Sequence, residues 1–507
     1  MGSVATMVSV LVILAGSALV RWPGLTQGRF ASHDVGGILY NGMLLRSGGL
    51  PYVDSVEWKA PGSFYVAALV AGADIAVLQL VANLVALGSL ALVMAFAWRL
   101  WGRGAAVACG FVFALHDAQL DSMDANYVTW ALLPQIAAVL VAVAAGRRRE
   151  QAVPSAMSVT WLASGLLCGV ATLFKQPAGV VLIPVLLHAL RHGRRWHVRT
   201  GAWVLAGFVL AHLPIALHYL AHGQLGALIS SYAGANWGFS YIGHHGDTAL
   251  HAAAWEGLAA TVFFLALPLT LAVFAVAACP REATARASTR LLVIWALAAI
   301  AGAAVGLRFY KGYFLAALPP LCLLAAAPWG LLGAQLWRRG LPRWIAAPVL
   351  VVLLARAGMM LQTTRVDRAR PHDDGARKIA EHIARNSEPG DRIWVWGWHL
   401  WGVYAYSERL SASPIYKTPG LLTHFDDDTW RRPSTRVTLM PDSPHADRLL
   451  RDLAAAPPIF IALGGSVPRE QFVELGRFLA AHYERDRRIV VGKVEVWRRR
   501  SPGQNGG

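Results

Sequence analysis

Long apolar runs separated by short polar turns fill the chain from its first residues to about residue 361. A helix that crosses a bilayer needs about 20 mainly apolar residues, with about 17 tolerated. On that criterion the pattern predicts membrane helices near residues 4–20, 64–97, 104–119, 127–145, 158–174, 177–190, 201–220, 253–277, 291–306, 313–332 and 344–361. The run at 64–97 is too long for one span, so its first part, around Phe64 to Ala73, is expected to lie along the interface before the chain turns inward near Asp74. The run at 177–190 is short, with Pro184 placed to bend it. Val4 to Val20 ends in small residues but lacks the basic flank of a signal peptide, so it reads as a retained first helix.

From Arg365 the pattern changes to that of a soluble α/β fold. A helix is expected over Gly375 to Asn386, then a strand over Arg392 to Trp396 after Pro389 and Gly390. A second strand over Pro458 to Leu463, a helix over Glu470 to Ala481 and a strand over Arg488 to Trp497 follow. The predicted architecture is a polytopic α-helical membrane protein of about 11 transmembrane helices with a C-terminal α/β domain, divided as 1–362 and 363–507.

Composition agrees with this reading. Of 507 residues 56% are hydrophobic and only 15% charged, against about a quarter charged in soluble proteins. The formal net charge of +17 would suggest nucleic acid on a soluble protein. In a membrane protein it reflects the Lys and Arg retained in cytoplasmic loops, so no nucleic-acid partner is implied. Those residues gather at alternate helix ends: Arg99 and Arg103; Arg147, Arg148 and Arg149; Arg191, Arg194, Arg195 and Arg199; Arg281, Arg286 and Arg290; Arg338, Arg339 and Arg343. That side is expected to be the cytoplasm, which puts the C-terminal domain outside a cell inner membrane. Cys109, Cys168, Cys279 and Cys322 fall in or at the ends of apolar runs and form no CxxC pair, so neither disulfides nor zinc are implied.

The opposite face carries few cations, and these sit among acidic and aromatic residues. The segment from Arg21 to Gly62 contains Ser32-His33-Asp34, Tyr40, Gly48-Gly49-Leu50-Pro51-Tyr52-Val53-Asp54 and Glu57-Trp58-Lys59-Ala60-Pro61-Gly62. Ionisable groups beside a membrane helix are costly unless paired or functional. A second outer turn holds Asp121, Asp124 and Asn126, where either aspartate orients a substrate or Asp124 or Asn126 caps the next helix. Two further outer turns read Phe174-Lys175-Gln176-Pro177-Ala178-Gly179 and Arg308-Phe309-Tyr310-Lys311-Gly312-Tyr313-Phe314.

These patches resemble the GT-C glycosyltransferases, in the branch of the protein mannosyltransferases and lipid A aminoarabinose transferases. The family pattern has an acidic residue soon after the first helix, a Gly-x-x-Pro-Tyr-x-Asp stretch, and a Lys-x-Pro-Gly turn opening the second helix. Asp34, Gly48 or Gly49 through Asp54, and Lys59-Ala60-Pro61-Gly62 stand in that order. Ile393-Trp394-Val395-Trp396-Gly397 and Tyr404-Ala405-Tyr406-Ser407 resemble the family's first soluble strand and Tyr-rich helix. The chain departs from many relatives at Val35, where a second acidic residue is common, and at Lys311 or Gly312, where His is common.

The resemblance implies a sugar donor carried on polyprenyl phosphate and an acceptor that is a glycan, a lipid or a protein of the cell envelope. It implies Asp34 as general base in an inverting transfer, with Asp124 as a second catalytic carboxylate. Lys59, Lys175, Arg308 and Lys311 are then the donor-phosphate cations, since the departing phosphate gains negative charge. His33, Glu57, Asp121 and Tyr313 are further candidates. A divalent cation held by Asp34 with Asp121 or Asp124 stays open, and the metal is unassigned. His33, His244, His245 and Asp247 read as loop or acceptor contacts rather than a metal site, since a His pair in a loop fixes no ligand geometry. Tyr232, Asn236, Trp237, Phe239 and Tyr241 suit an interfacial belt or a stacking surface, and the tryptophans from Trp394 to Trp401 suit packing or carbohydrate.

The competing reading is a transporter or flippase of lipid-linked sugars. It calls for ionisable groups deep in the spans and repeated halves. Asp74 and Glu256 are the acidic residues near spans, no repeat is visible, and the charges gather on one face.

Overall fold

The computed structural model describes residues 3–26, 33–70, 75–148, 154–192, 195–196, 198–234, 250–277, 283–305, 307–331, 348, 351–362, 373–425, 430–431, 437–440 and 443–501. Outside these lie Asp74, Asn236, Trp237, Phe239, Tyr241, His244, His245, Asp247, Arg149, Arg194, Arg281, Arg338, Arg339 and Arg343. The chain forms two compact units. One comprises Met1–Gln27, Gln79–Gly223 and His245–Ala369, the other Gly28–Leu78, Gln224–His244 and Arg370–Gly507. The last of these breaks lies between Ala369 and Arg370, and Gly28–Leu78 belongs with the second unit.

The first unit is helical. Among the described residues, Ile75–Trp101, Tyr127–Gly146, Val198–Ala221, Ala254–Ala277, Ala285–Ala304 and Lys311–Gly330 are long and apolar enough to cross a membrane. Shorter apolar helices are Val4–Val20, Arg103–Ala114, Ser158–Phe174, Gln176–Leu190 and Val351–Gln362. Each falls on one of the expected runs. The run expected at 64–97 is two helices, Gly62–Val70 and Ile75–Trp101.

Small residues set the packing in this unit. A Cβ on Gly165 would stand 1.9 Å from the Val204 carbonyl, and one on Gly207 would stand 2.0 Å from that of Leu162. Gly165 and Gly169, one turn apart, therefore let the Pro154–Phe174 and Val198–Ala221 backbones touch, which is how helices gain contact where lipid supplies no hydrophobic drive. Many large apolar side chains face outward, among them Leu11, Val209, Phe263 and Phe274. A soluble surface rarely tolerates such an apolar exterior, whereas lipid matches it.

The second unit is α/β. Strand Ile393–Trp396 runs parallel to Phe460–Leu463, which pairs antiparallel with Glu495–Arg499, and Tyr483–Arg485 closes the edge against that last strand. Strands Ile393–Trp396 and Phe460–Leu463 are fully buried along their unbroken apolar runs. The strand expected over Arg488 to Trp497 is confined to Glu495–Arg499. Gly492, with φ of 55°, and a Val491 to Val494 bridge make a turn where the strand was expected to begin. A helix not expected from the sequence, Pro444–Ala455, begins at Ser443, whose hydroxyl accepts from the His445 amide at 3.3 Å, with Pro444 at the first helical position.

The segment before residue 62, for which the sequence named no element, contains the helix His33–Arg46. Three glycines weaken its intrinsic propensity, yet they are what the packing needs. A Cβ on Gly36 would stand 2.8 Å from the Gly402 nitrogen, and one on Gly42 would stand 2.7 Å from the Ala67 methyl. Tyr40 joins the soluble core with Ile379, Val395, Tyr404 and Tyr416.

Candidate functional site

In the second unit the site is built on the first turn of helix His33–Arg46. Asp34 stands there, where the helix N-terminus favours an anion. Lys59 donates to Asp34 Oδ1 at 2.7 Å, and both side chains keep part of their surface open, 23% and 33%. The intervening motif gives the loop its shape. Gly48 and Tyr52 take left-handed backbone angles of 84° and 68°, and Asp54 Oδ2 accepts from the Leu50 amide at 2.7 Å. Tyr52 donates its hydroxyl proton to the Lys59 carbonyl at 2.6 Å, fixing the end of the turn. A non-glycine residue at positive φ is strained, and such strain collects where a geometry is enforced.

His33 meets the Trp398 ring edge to face at 4.1 Å. Glu57 is almost wholly buried, and its carboxylate accepts from the Trp58 and Lys59 amides at 2.9 and 3.1 Å. Lys417 and Tyr416 hold the same carboxylate. Burial alone would raise the Glu57 carboxyl, but the Lys417 ammonium, the Tyr416 hydroxyl and Lys59 outweigh it and hold it below the usual carboxylate range. Sequence reasoning singled out Glu57 but not its partners.

In the first unit a separate set of predicted residues comes together. Lys311 pairs with Asp121 at 2.8 Å, with 48% and 30% of the side chains exposed. The Lys175 ammonium lies 4.3 Å from the centre of the Tyr313 ring. Asp121 takes a left-handed φ of 61°, and Gly312 beside it leaves room for the carboxylate, since a Cβ there would sit 2.9 Å from Asp121 Oδ2. Arg308 lies between Leu307 and Phe309, which take φ of 50° and 52°. Asp124 is buried and accepts from the Asn126 amide at 3.2 Å, so it closes the turn that leads into helix Tyr127–Arg148.

Residues that sequence reasoning missed hold this turn from behind. Arg21, fully buried, pairs with Asp117 and donates to the Ser122 carbonyl and to Ser122 Oγ. Asn83 donates to the Met123 carbonyl at 3.1 Å, and Gln79 Oε1 accepts from the Ala125 amide at 3.1 Å. The signal was present: Gln79 and Asn83 are polar residues four apart, on one face of an otherwise apolar helix.

Three-dimensional comparison then decides the fold. ArnT from Cupriavidus metallidurans bound to undecaprenyl phosphate superposes over 96% of this chain and 97% of its own, at 16% identity and a TM-score of 0.60. The chain has the GT-C fold. ArnT in the apo state aligns over the same shares with a TM-score of 0.58. The archaeal oligosaccharyltransferase AglB from Archaeoglobus fulgidus, in complex with an inhibitory peptide and a dolichol-phosphate, aligns over 90% of this chain and 69% of its own at 12% identity and a TM-score of 0.54. No protein-family model and no curated protein matches the sequence. Among the described residues no group of three or more His, Cys, Asp or Glu side chains is arranged to hold a metal. Asp34 and Asp121 are each paired with a lysine ammonium, Lys59 and Lys311, so the acidic group that either could offer a divalent ion is already neutralised.

Proposed function

We propose that this protein is a GT-C glycosyltransferase that moves a sugar from a polyprenyl-phosphate donor to a glycan, lipid or protein acceptor outside the inner membrane. The observation that carries the reading is the Lys59–Asp34 pair at a helix N-terminus, on a chain with the fold of a protein crystallised with undecaprenyl phosphate. Asp34 is the base: it takes the proton of the acceptor hydroxyl as that oxygen attacks the anomeric carbon. The bond from that carbon to the phosphate oxygen breaks in the same step, which inverts the centre and leaves a polyprenyl phosphate.

The departing phosphate gains charge, and fixed cations lower the barrier most where charge develops. Lys59 is assigned to it as a point charge; within the first unit Lys175 and Lys311, as point charges, and Arg308, as a fork, are proposed on the sequence resemblance to bind donor phosphate. Tyr313 steadies Lys175, and Asp121 holds Lys311 until phosphate competes for it. His33 is assigned to the acceptor side of Asp34, and Asp124 supports the reaction from the turn it closes. In the proposed topology the membrane helices, within 1–362, lie in the inner membrane, with the 363–507 domain outside.

Transfer of radiolabelled sugar from a synthetic polyprenyl-phosphate donor to membrane acceptors tests the assignment. At matched expression Asp34→Asn should lower transfer by about 100- to 10,000-fold, the usual worth of a positioned base. Transfer undiminished in this variant would remove Asp34 from the chemistry.

A further inference from the structure

The turn that carries Lys59 is held by residues 359 and 360 positions further along the chain. Tyr416 donates to Glu57 Oε2 at 2.6 Å, and Lys417 pairs with Glu57 Oε1. The Lys417 ammonium also lies 4.0 Å from the centre of the Trp58 ring. Asn41 donates to the Tyr416 hydroxyl at 3.0 Å and accepts from Ser55 at 2.6 Å, while the Val56 amide donates to the Pro414 carbonyl at 2.8 Å. Residues 55 to 58 are thus stitched to residues 414 to 417 on a core that includes Trp394 and Ile415.

Charges alternate along this line: Asp34, Lys59, Glu57, Lys417. The two outer members differ in what they can do. Asp34 is one-third open, whereas the Lys417 side chain is 4% exposed and covered by Glu57 and Trp58. A buried ammonium in that position does not reach a lipid phosphate. It also gains little net stability over an apolar replacement of both partners, because desolvation offsets most of the attraction. What the pair does provide is a fixed place for the Glu57 carboxylate, and that carboxylate accepts the Lys59 backbone amide.

We infer that Lys417 is a positioning residue for the transfer reaction, acting through the Glu57 carboxylate to hold Lys59 against Asp34. The inference rests on the transferase reading for its consequence on rate, though not for the geometry it asserts. Burial lowers the Lys417 ammonium from the usual lysine range, and the facing Glu57 opposes this, so the ion pair depends on both partners. Misplacement of a reacting group by about 1 Å can cost on the order of 100-fold in rate.

The test uses the full chain in detergent, with undecaprenyl-phosphate sugar as donor and rates expressed per folded molecule. Lys417→Met should lower kcat/KM by about 10- to 100-fold. In a Lys59→Ala background the same change should cost less than about two-fold, since residues acting in one line are not additive. Tyr416→Phe, which removes one hydroxyl and spares the buried charges, serves where Lys417→Met does not fold; it should lose about three-fold, again only when Lys59 is present. Acylation of the Lys59 amine, followed by mass spectrometry with Lys378 and Lys493 as internal controls, reads the geometry without turnover. Labelling of Lys59 alone should accelerate about five-fold or more in either variant, as its hold on Asp34 loosens. Wild-type kinetics in Lys417→Met, losses that multiply with Lys59→Ala, or equal acceleration at all three lysines would overturn the inference. A wild-type chain that transfers nothing would contradict the transferase reading, and the labelling result would still decide the role of Lys417.

Discussion

The two charged turns differ in what stands behind them and in how open their lysines are. Lys59 belongs to a turn clamped by a buried carboxylate, a buried lysine and two hydroxyls. Lys311 pairs with Asp121 at the surface of its unit, and the turn beneath is clamped one step further back, by Arg21. An ion pair that exposed is worth about 0 to 1 kcal/mol, so under the proposed function Lys311 would exchange a carboxylate for a phosphate at little cost. Breaking a buried pair by removing one partner costs about 3 to 5 kcal/mol. In the proposed function the two lysines have different duties: Lys59 is fixed in place, while Lys311, 48% exposed beside Asp121, would meet the donor phosphate.

The largest expected effect breaks the fixed side. Lys59→Ala should lower kcat/KM by about 100-fold or more, and Lys59→Arg should restore only part, since a planar fork does not replace a point charge within the same turn. Steady-state transfer assays check this, and a loss below about five-fold would put Lys59 on a level with a surface lysine. Next is the support behind the exposed turn. Arg21→Met leaves Asp117 buried without its cation and should destabilise the helical unit by about 3 to 5 kcal/mol, with much of that recovered in Arg21→Met/Asp117→Asn. Thermal unfolding in detergent measures both.

A smaller effect is expected on the available side. Lys311→Ala and Lys175→Ala should each raise the donor KM by about 10-fold with little change in kcat, whereas Asp121→Asn should lower it slightly by releasing Lys311. If Lys311→Ala instead cut kcat as steeply as Lys59→Ala, the contrast between the two lysines would be lost.

Acid sharpens the same contrast. The Glu57 carboxyl is held below its ordinary value of 4.5 in the folded chain, chiefly by Lys417 against the effect of burial, so its stabilisation is complete above that value and is lost as pH falls through the folded one. Melting of the α/β unit should therefore fall more steeply below about pH 4.5 in wild type than in Glu57→Gln/Lys417→Met. Equal slopes would show that the network does not take up protons on unfolding. The smallest effect concerns metal: with lysines seated on Asp34 and Asp121, excess EDTA should leave transfer within about two-fold, and a larger loss would point to a cation among the acidic groups.

Much of this was legible in the sequence, for identifiable reasons. Hydropathy located the membrane helices because a lipid-facing helix must be apolar over a fixed length. Lys59, Asp34, Lys311 and Asp121 stood out because charges at helix ends on the sparsely basic face have few bland explanations. Helix His33–Arg46 was not legible because Gly36, Gly37 and Gly42 lower its helix propensity, and their packing against Gly402, Tyr416 and Ala67 is a tertiary fact. Lys417 was hidden by distance, since nothing near residue 417 suggests a partner 360 positions earlier. Arg21, Gln79 and Asn83 were legible as polar residues within or beside apolar helices, but the turn they hold is a tertiary fact.

The most direct test of the central claim follows both products of one turnover. Purified protein is given undecaprenyl-phosphate sugar labelled in the sugar and in the lipid, together with acceptor membranes, in vesicles that report movement of lipid between leaflets. The account predicts that each sugar gained by the acceptor is matched by one free undecaprenyl phosphate, with no protein-dependent movement of intact donor across the bilayer. Intact donor crossing the bilayer with no sugar transferred would contradict it and turn the reading to a flippase.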